Sequence, residues 1–208
     1  MTPWALVPVK GFARGKSRLG ELLDDGGRAA LAQAMFDRVV GEVLVPLVAA
    51  GELGGVVVLT DAAEVLARAA QLGATAWLAA PTRPGRPLSA IVDEGLARVA
   101  GGGAGAGVVL MGDLPALRAD DVRALVALLD RAAVVIAPDE AQAGTNALAL
   151  RLPAPMPTCF CGGASLAAHR AAAEERGLAY LLCDRPGLRF DVDQPEDYAR
   201  LRAGSFGA

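Results

Sequence analysis

Residues 7–19 of this 208-residue chain read Val-Pro-Val-Lys-Gly-Phe-Ala-Arg-Gly-Lys-Ser-Arg-Leu. An apolar run over residues 4–9 predicts a buried strand, and a helical pattern begins at about Arg28. A glycine-bearing loop between a strand and a helix is where α/β proteins hold phosphates. The stretch therefore favours an α/β fold with an anion site at the end of its first strand.

The same stretch concentrates positive charge. Lys10, Arg14, Lys16 and Arg18 fall within residues 10–18, which contain no acid, although the whole chain has a formal net charge of -3. The two glycines of this loop let the backbone approach a ligand closely. Four cations in one glycine-bearing turn favour phosphate binding, and a solvated charged loop is the alternative.

Strand and helix patterns alternate through the first two thirds of the chain. Predicted strands cover 4–9, 56–59, 75–78, 108–111 and 133–137, and predicted helices cover 28–50, 65–72, 88–100 and 122–129. Such alternation predicts a mostly parallel sheet covered by helices on both faces. Thr60-Asp61 and either Asp120 or Asp121 are the predicted caps of the second and fourth helices. A loop with three prolines, 81–87, precedes the third helix.

The alternation breaks in the last third. Residues 145–152 read as a strand without a preceding helix, so this strand is expected to run antiparallel. A helix capped by Ser165, a strand over 179–183, a short strand over 190–193 and a final helix starting at Pro195 follow. No composition break appears within 1–208, so the expected architecture is a single α/β domain with a mostly parallel, mixed sheet flanked by helices.

Composition excludes several classes of protein. No uninterrupted apolar run approaches the ~18 residues of a membrane span, and no secretory signal pattern is visible, so a cytoplasmic protein without a membrane partner is expected. An acidic pI of about 5.2 argues against nucleic-acid binding. Cys159, Cys161 and Cys183 suit neither a disulfide framework nor a zinc site. A homodimer is left open.

Three aspartates are candidate metal ligands. Asp113 follows a wholly apolar strand, where an α/β sheet exposes its carboxyl ends. Asp191 and Asp193 are two residues apart, so in an extended segment they point to the same side. Carboxylates with waters and substrate phosphates are the ligands that Mg²⁺ prefers. Metal binding is favoured over a solvated acidic turn, whereas Glu196 and Asp197 are assigned to helix initiation.

A second anion cradle is predicted further along the chain. Thr145 follows a loop, and residues 161–165, Cys-Gly-Gly-Ala-Ser, enter a helix that offers free amides and hydroxyls. A plain N-cap explains Ser165 equally well. His169, the only histidine, lies one turn later, and a packing role is favoured for it over ligand contact.

These motifs, taken together and in this order, resemble the guanylyltransferases of deazaflavin coenzyme F-420 biosynthesis. The matching stretches are 7–10, 13–19, 112–115, 144–148 and 191–197. The resemblance implies a nucleotidyltransferase fold of Rossmann-like, glycosyltransferase-A-like architecture and an enzyme that joins GTP to 2-phospho-L-lactate or phosphoenolpyruvate with release of pyrophosphate. Mg²⁺ is the implied cofactor, and phosphoenolpyruvate is the favoured acid.

The resemblance also implies roles for individual residues. The implied metal ligands are Asp113, Asp191 and Asp193, and the implied acid-substrate contacts are Thr145, Gly162, Gly163 and Ser165. The implied nucleotide contacts are Pro8, Val9, Lys10, Gly11, Arg14, Lys16, Arg18 and Ser89, and catalysis falls to Lys10, Lys16 and Asp113. Residues 87–91 read Pro-Leu-Ser-Ala-Ile where relatives have Gly-Leu-Asn-Ala-Ala, and the step from Phe160 to Ser165 is one residue longer than usual.

Two alternatives stay open from the sequence. One is another nucleotidyltransferase, of the molybdopterin or sugar-phosphate type, which would share Gly112-Asp113 and the fold. The other is a non-catalytic nucleotide-binding relative. The lack of a catalytic histidine or thiol constellation is compatible with an enzyme, because a phosphate monoester with a second pKa of about 6 is already ionised at neutral pH and can attack phosphorus unaided.

Overall fold

The central element of the fold is a seven-stranded mixed sheet, seen in a computed structural model that describes residues 2–78 and 86–204. The strand order is β3-β2-β1-β4-β6-β5-β7. The strands are β1 (Pro3–Pro8), β2 (Gly55–Thr60), β3 (Thr75–Leu78), β4 (Ala106–Leu110), β5 (Val134–Pro138), β6 (Thr145–Arg151) and β7 (Tyr180–Leu182). The predicted proline-rich loop falls mostly on 79–85, outside the described residues.

The sheet pairing follows the predicted change of direction. β1 pairs in parallel with β2 and β4, and β2 pairs in parallel with β3. β6 is antiparallel to both β4 and β5, and β5 returns to parallel pairing with β7. The prediction of a mostly parallel sheet with one antiparallel excursion at residue 145 is therefore confirmed.

Helices cover both faces of the sheet. They are α1 (Asp25–Phe36), continued by a π-helical segment (Asp37–Leu44) and α2 (Val45–Ala49), then α3 (Ala63–Gln71), α4 (Leu88–Gly101), α5 (Ala119–Ala127), α6 (Ser165–Glu174), α7 (Pro186–Arg189) and α8 (Pro195–Ala203). One buried apolar cluster joins Phe36, Val65 and Leu125 to one face. A second joins Leu96 and Leu166 to the other, so each face is buried as the continuous apolar strands require. None of the described helices is long and apolar enough to cross a membrane.

Several predicted helix caps are wrong by a few residues. The N-cap residues are Ala62, Arg118 and Ala164, where the predicted caps were Thr60-Asp61, Asp120 or Asp121, and Ser165. The carboxylate of Asp121 accepts a hydrogen bond from the Arg118 N–H at 3.0 Å from a position inside the first turn. Short polar side chains can serve a helix start from either place, so sequence alone leaves the register open.

The predicted short strand over 190–193 is also wrong. This segment follows α7 without pairing to the sheet, and the side chains of Phe190 and Val192 pack with Leu19 and Met35 in a third apolar cluster. Leu19 ends the basic loop that begins at Lys10. This packing therefore carries the aspartates at 191 and 193 to the basic loop.

Candidate functional site

A cleft of about 780 Å³ opens where β1, β2 and β4 end. Residues of the basic loop form one wall, and the ends of β2 and β4 with the start of α4 form the others. Among the residues predicted for nucleotide, metal or catalysis, those that line this cleft are Pro8, Val9, Lys10, Gly11, Arg14, Lys16, Arg18, Asp113 and Asp193. Residues up to 185 positions apart in sequence thus meet at the carboxyl ends of the strands, where parallel α/β sheets bind ligands.

The basic loop is held in a compact shape. It forms two 3-10 turns, Phe12–Arg14 and Ser17–Leu19, and the ring of Phe12 packs on Phe36 with centroids 5.5 Å apart. A Cβ atom at Gly11 would lie 2.8 Å from a carboxylate oxygen of Glu64 and 3.2 Å from the Cβ atom of Ala62, so a side chain there would displace Glu64 and crowd Ala62. Lys16 joins the two turns in the left-handed conformation, with φ 55° and ψ 34°.

Lys16 connects the loop to two of the predicted metal ligands. Its Nζ atom lies 2.5 Å from Oδ2 of Asp113 and 2.9 Å from Oδ1 of Asp193, and only 7% of its side chain is exposed. Burial acts to lower the pKa of Lys16, but the charges of Asp113 and Asp193 outweigh it and raise the pKa above its usual value. The buried ammonium is therefore charged at neutral pH and joins three distant segments.

Asp191 is half-buried and lies close enough to Asp113, Asp193 and Lys16 to feel their charges. Burial, with the nearby charge of Asp113, raises the pKa of Asp191 to about 6. The Asn146 side-chain amide donates to the Arg189 carbonyl at 3.0 Å and to Oδ1 of Asp191 at 3.3 Å. Sequence reasoning gave Asn146 no role, although it follows Thr145 directly. Its hydrogen bond to Oδ1 helps to orient the Asp191 carboxylate.

The donor chemistry at this corner suits a hard divalent cation. Asp113, Asp191 and Asp193 bring three carboxylates together with Lys16 as the compensating ammonium, and burial of Asp191 disfavours its charge unless a cation is near. Within residues 2–78 and 86–204, no three His, Cys, Asp or Glu side chains are already arranged around a metal position. The ammonium of Lys16 lies between two of the carboxylates instead.

Arg14 has a partner that the sequence did not indicate. Its guanidinium pairs with both carboxylate oxygens of Asp61, at the end of β2. The side-chain hydrogen bond lowers the pKa of Asp61. Asp61 thus belongs to the wall of the cleft instead of capping α3. Among the described residues, Lys10 and Arg18 form no ion pair, so their charges face the cleft unopposed.

The predicted acid cradle lies beside the cleft and does not line it. The Met111 N–H donates to the Asn146 carbonyl at 2.9 Å, so Thr145, at the start of β6, lies beside the segment that leads from β4 to Asp113. Ser165 is the first residue of α6 and is 3% exposed. Its hydroxyl has no hydrogen-bond partner among the residues that the structure describes. Gly162 and Gly163 are exposed on the turn before it.

Ser89, predicted as a nucleoside contact, is not brought to the cleft. Its Oγ accepts a hydrogen bond from the Phe160 N–H at 2.8 Å, and its carbonyl accepts one from the Thr158 hydroxyl at 3.3 Å. The neighbouring side chains of Leu88 and Ile91 line the cleft in its place. Ser89 therefore fixes α4 to the segment that leads into the cradle.

His169 is hydrogen bonded as well as packed. It is fully buried, its ring stacks edge-on against Phe160, its Nδ1 lies 3.1 Å from Oγ1 of Thr145, and its Nε2 accepts from the Cys159 N–H at 2.9 Å. Burial lowers the pKa of His169 to about 4. The predicted packing role is thus incomplete, because this histidine also links Thr145 to the segment around Cys159.

A pH-dependent loss of stability is expected from His169. In the unfolded chain its pKa is about 6.5, so the unfolded state binds a proton that the folded state refuses between pH 6.5 and pH 4. The free energy of unfolding is therefore highest above pH 6.5. It falls by about 3 kcal/mol as the pH is lowered from 6.5 to 4. Urea unfolding of wild type and His169→Asn at pH 7.5 and 4.5 measures this. Stability differences that stay the same at both pH values would contradict it.

Comparison with known proteins groups the chain with guanylyl transferases. A sequence family described as "Guanylyl transferase CofC like" matches residues 4–203. A phosphoenolpyruvate guanylyltransferase from Rubrobacter xylanophilus is 42% identical over 204 residues, which cover 98% of this chain and 95% of that protein. A 3-phospho-D-glycerate guanylyltransferase from Phenylobacterium zucineum is 36% identical over 210 residues, which cover 98% and 91%.

Solved structures share the fold at low sequence identity. A candidate nucleotide-diphospho-sugar transferase from Desulfovibrio desulfuricans G20 has a TM-score of 0.77 at 18% identity, covering 97% of this chain and 87% of that one. Glucosyl-3-phosphoglycerate synthase from Mycobacterium tuberculosis, solved with Mn²⁺, UDP-glucose and phosphoglyceric acid, has a TM-score of 0.64 at 16% identity, covering 95% and 74%. The predicted nucleotidyltransferase-like α/β architecture is confirmed.

Proposed function

The chain belongs to the family of CofC-like guanylyl transferases and is a nucleotidyltransferase, and on this premise we propose that it transfers the guanylyl group of GTP to a phosphorylated three-carbon acid. One observation carries the proposal. The cation-rich loop shares a single cleft with Asp113 and Asp193, to which it is joined by Lys16. A triphosphate is bound by several positive charges, such as those of the basic loop. Its reacting phosphorus must also lie close to the bound metal ion, and the candidate metal ligands are in the same cleft.

Phosphoenolpyruvate is the proposed acid. The similar proteins from Rubrobacter and Phenylobacterium are named for phosphoenolpyruvate and 3-phospho-D-glycerate, which share a phosphate and a carboxylate on a three-carbon frame. The higher identity to the first supports phosphoenolpyruvate, with 2-phospho-L-lactate and 3-phospho-D-glycerate as the other members of the class. The product would then serve the biosynthesis of the deazaflavin coenzyme F-420.

The reaction needs no protein nucleophile. A phosphate oxygen of the acid, ionised at neutral pH, forms a bond to the α-phosphorus of GTP, and the bond from that phosphorus to the β-phosphate oxygen breaks, releasing pyrophosphate. Two polyanions must be held in line against their repulsion. Lys10, Lys16 and Arg18 would supply that neutralisation, while Arg14, also in the cleft wall, is paired with Asp61.

A divalent metal, proposed to be Mg²⁺, completes the site. The ion would be held by Asp113, Asp191 and Asp193, whose carboxylates are hard oxygen donors. The half-buried carboxylate of Asp191 carries a full charge more readily when a cation is near. When bound, the metal neutralises charge on the reacting phosphates. The Mn²⁺ in the structure of glucosyl-3-phosphoglycerate synthase, which shares this fold, supports a divalent ion here.

The cradle beside Asp113 is proposed to bind the acid. Its hydroxyls and amides come from Thr145, Gly162, Gly163 and Ser165, and the positive end of α6 adds to the attraction for an anion. Ser165 is an almost fully buried residue whose hydroxyl has no hydrogen-bond partner in the described part of the chain, and this is the feature of the cradle that most favours a ligand. Because Thr145 begins the strand that pairs with β4, an acid bound beside it would lie close to the phosphates held at Asp113.

A panel of pyrophosphate-release assays tests the function. GTP, ATP, CTP and UTP are each incubated with Mg²⁺ and with phosphoenolpyruvate, 2-phospho-L-lactate, 3-phospho-D-glycerate or glucose 1-phosphate. We expect release with GTP and phosphoenolpyruvate above every other combination. Release with the sugar phosphate alone would favour a sugar nucleotidyltransferase, and no release with any acid would refute the enzyme activity proposed for this site.

A further inference from the structure

The single histidine of the chain connects both halves of the acid cradle. His169 lies on α6 one turn after Ser165 and has no solvent exposure. Its two ring nitrogens contact different segments: Nε2 lies 2.9 Å from the backbone nitrogen of Cys159, and Nδ1 lies 3.1 Å from Oγ1 of Thr145. Nothing in the proposed chemistry uses this residue directly.

The backbone fixes which nitrogen carries the proton. An amide N–H can only donate, so Nε2 of His169 must be the acceptor in the contact with Cys159 and carries no hydrogen. A neutral imidazole has one N–H, which must therefore be on Nδ1. Burial keeps this ring neutral at physiological pH.

The tautomer in turn decides the role of the Thr145 hydroxyl. A protonated Nδ1 cannot accept a hydrogen bond, so its N–H is shared between Oγ1 of Thr145 and the backbone carbonyl of Ser165, and the hydrogen of the Thr145 hydroxyl is not used by His169. In the described part of the chain no other acceptor contacts this hydroxyl. Thr145 is only 5% exposed, and a buried O–H without an acceptor is costly. The hydrogen is thus available to a ligand.

We propose that His169 is a positioning residue that holds the Thr145 hydroxyl as a hydrogen-bond donor toward the anionic end of the acid substrate. The inference rests on the proposed function, because it assumes that the cradle binds the acid. It assigns His169 an effect on acid binding and none on GTP, whose cleft is lined by other residues. A purely structural histidine would affect both substrates equally.

The tautomer can be read directly by nitrogen NMR of the imidazole. Because the chain has one histidine, tag-free protein labelled with ¹⁵N-histidine gives one pair of ring nitrogen signals. We expect Nδ1 to be protonated and Nε2 to be bare at pH 7, and we expect the Nδ1 signal to shift when phosphoenolpyruvate is added. A proton on Nε2 would overturn the inference. So would an Nδ1 signal that does not shift when saturating phosphoenolpyruvate is added to active enzyme.

Paired variants supply the kinetic test. His169→Asn keeps an N–H near the Nδ1 position, whereas His169→Gln places its amide near Nε2 and removes the donor to Thr145. We expect the Gln variant to raise the KM for phosphoenolpyruvate about tenfold, while its KM for GTP stays within about twofold of wild type. The KM of the Asn variant for phosphoenolpyruvate should be much closer to the wild-type value. In a Thr145→Val background the Gln substitution should add little further effect.

The outcomes separate this inference from the proposed function. Equal losses for both substrates, or an additive effect in the Thr145→Val background, would overturn the positioning role while leaving the guanylyl transfer intact. No turnover of any acid by the wild-type protein would overturn the proposed function, and the assignment of Thr145 as a substrate donor would fall with it.

Discussion

Replacing Asp113 with asparagine is expected to lower turnover with GTP and phosphoenolpyruvate at least ~100-fold, the scale on which loss of one electrostatic group at a reacting phosphate or oxyanion is felt. The substitution keeps the shape of the side chain but removes the charge that lies 2.5 Å from the Lys16 ammonium, at the end of β4 and within the cleft. Asp193→Asn, which loses the second partner of Lys16, should behave in the same way.

The measurement compares kcat over a range of Mg²⁺ concentrations, with binding of Mn²⁺ followed separately by electron paramagnetic resonance. Weaker Mn²⁺ binding by Asp113→Asn and Asp193→Asn is expected even where no turnover can be measured. Asp130→Asn is the matched control, because Asp130 is exposed and does not line the cleft. Near-normal turnover in either cleft variant, with unaltered Mn²⁺ binding, would refute the role of that aspartate as a ligand.

Replacing Lys16 with methionine is expected to reduce kcat/KM about 100-fold to 1,000-fold. The ammonium joins the basic loop to two carboxylates, and its loss removes both a positive charge from the proposed phosphate site and the link between three segments. Asp113 and Asp193 are 30% and 50% exposed, so water screens their repulsion and a loss of only about 1 kcal/mol in unfolding free energy is expected.

Two further variants make the Lys16 result specific. Lys16→Arg keeps the charge with a different shape, so it should retain more activity than methionine while falling below wild type. Arg131→Met removes an exposed cation outside the cleft and should act like wild type. If methionine at position 16 left kcat/KM within a few fold of wild type, the loop would not be the phosphate-binding element.

The architecture could be predicted from the sequence because its signals are local. Continuous apolar strands separated by helical patterns require a sheet covered on both faces, and a strand that follows another without a helix must turn back on it. β6 is the clearest instance, since its antiparallel pairing follows from the missing helix before Thr145. The predicted cap residues were wrong because several short polar residues near the start of each helix can satisfy the same backbone groups.

Contacts between distant segments could not be predicted in the same way. Lys16 meets partners 97 and 177 residues away, and it reaches Asp193 because Val192 and Phe190 pack against Leu19, which no local pattern reveals. The extended-strand argument for two aspartates on one side assumed a strand that does not form. The sequence placed carboxylates and cations at one sheet edge, but which charges pair depends on tertiary packing.

Asp61 and His169 have hydrogen-bond partners that their local sequence does not indicate. Asp61 follows a strand and precedes a helix, which is typical of a cap, yet it pairs with Arg14 across the cleft. His169 sits on a buried helix face, which is typical of packing, yet both of its nitrogens are hydrogen bonded. In each case the residue type and its position suited the common role, and the deciding contact came from another segment.

The most direct test of the central claim is ³¹P NMR of a reaction containing the protein, GTP, phosphoenolpyruvate and Mg²⁺. We expect the monoester signal of phosphoenolpyruvate to be replaced by two coupled signals of a new phosphoanhydride, with pyrophosphate formed in equal amount. Pyrophosphate or phosphate without the coupled pair would mean hydrolysis of GTP, and unchanged spectra with all three phosphorylated acids would contradict guanylyl transfer by this chain.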